Sequence, residues 1–106
     1  MAEKLDSITA REIALQYADA LKKDFLLRQI FLFGSTVSGT AREDSDIDIA
    51  VIAENFSGDR VEDTFRLMKL RRTVDLRIEP HAFLPIDFHE KNPFAADIMN
   101  HGIRIV

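Results

Sequence analysis

Two short apolar runs, QIFLF at residues 29–33 and DIDIAVIA at 46–53, enclose a polar stretch that carries Gly34 and Gly39. Each run is rich in β-branched or aromatic residues, and Gly34 ends the first, so both read as strands. Residues 35–41 between them read as a turn with one helical turn in it. Side chains alternate along a strand, so Ile47, Ile49 and Val51 share one face while Asp46 and Asp48 share the other. The two carboxylates then lie about 6–7 Å apart at their Cα atoms.

The flanking elements extend this alternation of helix and strand. A helix is predicted from Thr9, where Thr9 and Glu12 have capping-box spacing, with Ile13, Ala14, Tyr17, Ala18 and Leu21 as its apolar stripe. It ends near residues 22–24, where lysines suit a helix C-terminus. A loop through Asn55, Ser57 and Gly58 precedes a second helix, about 60–72, in which Val61, Phe65 and Met68 lie on one face. Residues 74–79 alternate, with Val74, Leu76 and Ile78 on one side and Asp75, Arg77 and Glu79 on the other, until Pro80 ends the run. Pro85 breaks 81–92 into short pieces. Pro93 opens a helix to residue 100, Gly102 caps it, and 103–106 form a small last strand. The fold class expected is α+β, a two-layer mixed sheet with helices on one face.

The 106 residues are enough for one compact domain, 1–106, with a radius of gyration of about 13 Å. There is no cysteine, which removes disulfides and thiolate metal sites. No apolar run approaches the roughly 18 residues of a membrane span, and residues 1–6 are too polar for a secretion signal, so the cytoplasm is the expected location. The formal net charge of −4 argues against a nucleic-acid partner. A phosphate-bearing ligand would have to be held locally, by metal ions or oriented amides.

Like charges as close as Asp46 and Asp48 repel and raise each other's pKa unless a cation sits between them. Hard oxygen donors point to Mg2+ or Mn2+. An isolated D-x-D is equally what a solvated acidic turn leading into a strand looks like. Asp44, Asp46 and Asp48 do not open an EF-hand loop, because Ile49 stands where that loop needs Gly and Asn55 where it needs Glu. Gly34 and Gly39 have P-loop spacing, but Thr40 and Ala41 follow where Lys and a hydroxyl residue are required. His81, His89 and His101 share no ligand spacing and read as surface residues. Phe83, Leu84, Phe88 and Phe94 read as core or as cover for the sheet, with a partner-binding patch as the alternative.

What remains is an ordered set: a strand, Gly34-Ser35, ten residues, then Asp46-Ile47-Asp48 on the next strand. Gly34 lets a ligand approach the backbone, and Ser35 with the amides after it can donate to phosphate oxygens. This pattern resembles the signature of the DNA polymerase beta-like nucleotidyltransferase superfamily: G-S, ten residues, D-x-D, and later a third aspartate, whose place Asp75 occupies. The short chain is similar to the minimal nucleotidyltransferases, the antitoxin half of HEPN/MNT toxin–antitoxin pairs.

The resemblance implies two Mg2+ ions, or Mn2+, roughly 4 Å apart and held by Asp46, Asp48 and Asp75. Gly34 and Ser35 would hold the β and γ phosphates of a nucleoside triphosphate, ATP foremost. Asp75 would take the acceptor's proton. The activity implied is transfer of AMP to a hydroxyl of a partner protein, a small helical HEPN-type chain. Two other readings stand beside it: an antitoxin that neutralises its partner by contact alone, and a transferase acting on a small molecule or RNA. Arg42, Asp44 and Ser45 are assigned no catalytic role, and Ser45 is expected to steady the turn.

Overall fold

The computed structural model describes residues 6–42 and 44–106. Residues 1–5, most of the stretch read as too polar for a secretion signal, lie outside the described residues. The element order is α1 (Ser7–Leu21), β1 (Leu27–Phe33), α2 (Ser35–Ser38), β2 (Ile47–Ala53), α3 (Arg60–Arg71), β3 (Ile78–Phe83), a 3-10 turn at Pro85–Asp87, α4 (Pro93–His101) and β4 (Ile103–Arg104). The strands form one mixed sheet in the order β3-β2-β1-β4, with β1 antiparallel to β2 and β4, and β3 parallel to β2. The α+β expectation holds, and the radius of gyration is 13.1 Å. No helix among the described residues is long and apolar enough to cross a membrane.

The main core lies between the sheet and α1 with α3. Ile47, Ile49 and Val51 of β2 meet the α1 stripe of Ile13, Ala14, Tyr17, Ala18 and Leu21, all of it buried as the periodicity requires. The hydroxyl of buried Tyr17 donates to the Leu67 carbonyl at 2.6 Å and ties α1 to α3. A second cluster on the opposite face, including Phe31, Ala50, Ile52, Phe83 and Phe88, is covered by Ala95 and Ile98 of the short α4. The two longest helices therefore share one layer, and α4 covers part of the other face.

Three expectations change. The α1 cap is Asp6, whose Oδ1 accepts from Thr9 N–H at 2.7 Å, so the helix starts before Thr9. Asp caps as well as Thr, and Asp6 lets the helix start earlier.

In α3 the face of Val61, Phe65 and Met68 is not the one that packs inward: Val61 is 80% and Phe65 60% exposed. Asp63, Leu67 and Leu70 face the core instead, from roughly the other side of the helix at about 3.6 residues per turn. Asp63 can be buried because its carboxylate accepts from the Ser57 amide, the Ser57 hydroxyl and the Gly58 amide at 2.9–3.1 Å. An apolar-periodicity reading cannot place an aspartate on the inner face.

The third strand is Ile78–Phe83, later than the 74–79 expected, and Pro80 sits inside it. Residues 72–77 are turns that follow α3. Ile47 N–H donates to the Arg77 carbonyl at 2.8 Å, so in a parallel ladder alternate residues of β3 turn to β2 and Pro80 turns its nitrogen outward. Because β3 is an edge strand, the missing N–H costs no ladder bond.

Candidate functional site

The strand order brings the ends of β1, β2 and β3 side by side, each at one turn from the site. Gly34 follows β1 with φ +80°, a value that strains a side-chain-bearing residue. It also stands so close to β2 that a Cβ there would collide with Asp48 Oδ2. Glycine is thus required twice over, by the backbone and by the carboxylate beside it. After it the Ser35 and Thr36 amides, at the start of α2, donate to no acceptor among the described residues. The connection back to β2 is steadied by Ser45, whose Oγ accepts from Arg42 N–H at 2.8 Å, as expected.

Asp48 lies on the α4 face of β2, opposite Ile47 and Ile49, as the alternation predicts. Its register partner on β3 is Glu79. Asp48, Glu79 and His81 each offer one ligand atom, and these atoms all lie within 4.8 Å of one another. His81 Nε2 is 3.2 Å from Asp48 Oδ1. Asp46 and Glu79 line one cleft, and the Asp46 carboxyl first, then burial and the charges of Asp48 and Asp46, push the Glu79 carboxyl above the usual carboxylate range. The cluster of Asp48, Glu79 and His81 is a place where a divalent cation fits, with oxygen donors in the majority, the donor set that Mg2+ and Mn2+ take.

The structure sets Gly34 against Asp48, with Ser35 opening the short helix that follows, and Asp46 at the cleft that Glu79 lines. It does not bring Asp75 to them. Asp75 lies in the turn before β3, where Oδ1 accepts from the Arg77 amide two residues on, an Asx turn. Its two oxygens also accept from Arg77 Nε and Nη2 at 3.0 and 2.8 Å, and that guanidinium holds its carboxyl below the usual range. The carboxylate beside the pair is Glu79 instead.

His81 is the residue that sequence reasoning missed: it is half-buried beside Asp48, not a surface residue. Its ring packs at 5.1 Å from Phe33 and 5.6 Å from Phe94. The available signal was the E-P-H spacing, which on a strand puts Glu79 and His81 on one face. Reading Pro80 as a strand terminator hid it.

Two hollows flank the carboxylates. One, of about 470 Å³, runs between α3 and the β3 edge, with Asp46, Glu79 and His81 at one side, Arg60 and Arg71 at the other, and Phe94 at its mouth. The second lies on the other flank, bounded by Gly34, Val37 and Ser38 and by Asp97 and His101 of α4. An anion can be met on one flank by the Ser35 amide, Thr36 being buried, and a second molecule can reach the same carboxylates from the α3 flank.

The family model described as "Polymerase beta, Nucleotidyltransferase" matches residues 16–106. Among solved structures, a provisionally named nucleotidyltransferase from Sulfolobus solfataricus superposes with a TM-score of 0.64 at 18% identity, over 92% of this chain and 80% of that one. A toxin–antitoxin structure with AMP-PNP superposes with a TM-score of 0.59 at 23% identity, over 88% of this chain and 72% of that one. At such identities the likeness is one of fold. No curated protein matches the chain.

Proposed function

Because the chain belongs to the polymerase beta nucleotidyltransferase family, we propose that residues 1–106 act as one minimal catalytic domain moving AMP from ATP to a hydroxyl of a partner protein. The observation that carries this reading is the meeting of Asp48, Glu79 and His81, with Asp46 lining the same cleft as Glu79, beside a glycine whose missing side chain lets the Asp48 carboxylate come close. The partner we propose is a small helical HEPN-type toxin in the cytoplasm, with this chain as its antitoxin. That a fold relative was solved as a toxin–antitoxin assembly with AMP-PNP supports both the protein partner and the adenine nucleotide.

Asp46, Asp48 and Glu79 would hold Mg2+ or Mn2+, with His81 keeping Asp48 in place through Nε2. Bound there, divalent ions would supply charge neutralisation of the triphosphate and acidify the attacking hydroxyl. Gly34 gives the phosphates access to the backbone, and the Ser35 amide and hydroxyl donate to their oxygens. The acceptor oxygen, entering from the α3 side, bonds to the α-phosphorus as the bond to the bridging oxygen breaks and pyrophosphate leaves. Glu79, which lines that cleft, would receive the acceptor's proton. Positioning and charge stabilisation carry the rate.

The test is incubation with α-labelled ATP and Mg2+, with and without the protein encoded by the adjacent gene, for wild type and Asp46→Asn. Label on the partner with wild type only is the expected result. A tight complex with no label from either version would replace the enzyme by an antitoxin that works by contact.

A further inference from the structure

The α3 face that periodicity would send to the core is solvent-exposed, and it is basic. Val61 and Phe65 project outward, Lys69 Nζ lies 4.7 Å from the Phe65 ring centroid, and Arg72 follows on the same side. Of the acidic residues of the helix, Asp63 is turned inward, leaving Glu62 as the exposed one. This concentration of cations stands out in a chain whose net charge is −4. The shallow hollow around Phe65, Lys69 and Arg72 shares Met68 and Arg71 with the cleft that ends at Asp46 and Glu79, so the two make one track.

Strand addition gives a segment in that track little grip on the first half of β3. Pro80 offers no outward N–H on the β3 edge, and the Ile78 carbonyl is already taken by Arg71 Nη1 at 3.0 Å. Recognition falls to the α3 side chains, which offer an apolar anchor rimmed by guanidinium and ammonium groups.

Resting on the reading above, we propose that this α3 track docks the protein segment that bears the acceptor hydroxyl, and that the segment is acidic, with an apolar side chain seated against Phe65 and carboxylates facing Lys69, Arg71 and Arg72. The cations fix its register, and the hydroxyl extends along the cleft toward Glu79.

The probes are two fluorescein-labelled peptides with the same tyrosine and leucine positions, one flanked by glutamates and one by lysines, and an oligouridylate of similar length. Binding is measured by anisotropy at low and high salt with wild type, Phe65→Ala and the double variant Lys69→Glu/Arg72→Glu. All three substitutions lie outside the carboxylate set and on the surface, so the fold is retained. The glutamate peptide should bind about tenfold or more tighter than the lysine peptide. High salt should shrink the difference. Phe65→Ala should weaken the glutamate peptide, and the double variant should reverse the preference. Equal affinities, or tightest binding of the lysine peptide or the oligonucleotide, would overturn the proposal. The two ideas fail separately: labelling of the partner that survives Lys69→Glu/Arg72→Glu undiminished removes the track and keeps the enzyme. Selective glutamate-peptide binding with no label transfer to any acceptor removes the enzyme and keeps the track.

Discussion

Asp48 on β2 and Glu79 on β3 are register partners across the parallel strand pair, and with His81 their ligand atoms lie within 4.8 Å of one another. Adjacent parallel strands force that proximity. Added Mg2+ or Mn2+ should therefore raise the melting temperature. A ligand at 100 times its Kd contributes about 2.7 kcal/mol. Asp48→Asn should abolish most of that shift, and His81→Ala should weaken metal binding by about 10–100-fold. Thermal melts across a metal titration measure both.

Gly34→Ala places a methyl group against Asp48 Oδ2 in a backbone conformation that disfavours it. The strain should cost about 1–3 kcal/mol. Because relief would come by displacing Asp48, nucleotidyl transfer should fall further than the stability loss explains. Denaturant melts beside label-transfer rates on the same preparations separate the two effects.

Asp75 and Arg77 give a pH-dependent term away from the site. The guanidinium holds the Asp75 carboxyl below its ordinary 3.8. A depressed acid stabilises the folded state above its unfolded pKa, and the contribution vanishes as pH falls through the folded value. Wild type should exceed Asp75→Asn in stability by at most about 1 kcal/mol at neutral pH, since the pair is partly exposed. The gap should close below about pH 4. Urea melts from pH 7 to pH 3 would show it, and a gap that widens in acid would contradict it.

The Gly34-Ser35 and Asp46-Asp48 half of the candidate site was legible because strand alternation and a ten-residue spacing are local properties. The third carboxylate was not, because Asp75, Arg77 and Glu79 alternate in sequence as a strand would. Only tertiary pairing decides that the ladder starts at Ile78 and runs through Pro80. An edge position makes proline permissible there, and sequence does not announce edges. The α3 face was hidden for a related reason. Its inward residue Asp63 is satisfied by the Ser57 and Gly58 amides, contacts that no hydropathy pattern contains.

Tyr17→Phe removes the hydroxyl that bonds the Leu67 carbonyl across the α1–α3 contact. A single buried hydrogen bond of this kind is worth about 0.5–1.5 kcal/mol. For a domain of this size each kcal/mol lowers the melting temperature by about 4–8 °C. Calorimetry should show that drop with label transfer unchanged, because Tyr17 lies in the core on the sheet face opposite Asp48.

The most direct test of the catalytic assignment compares Glu79→Gln with Asp75→Asn in transfer of α-labelled AMP from ATP to the partner protein. With the site built from Asp46, Asp48 and Glu79, Glu79→Gln should lower the rate by about 100-fold or more, and Asp75→Asn should stay within a few-fold of wild type. Loss of transfer in Asp75→Asn with Glu79→Gln active would contradict the account and return the third carboxylate to the turn before β3.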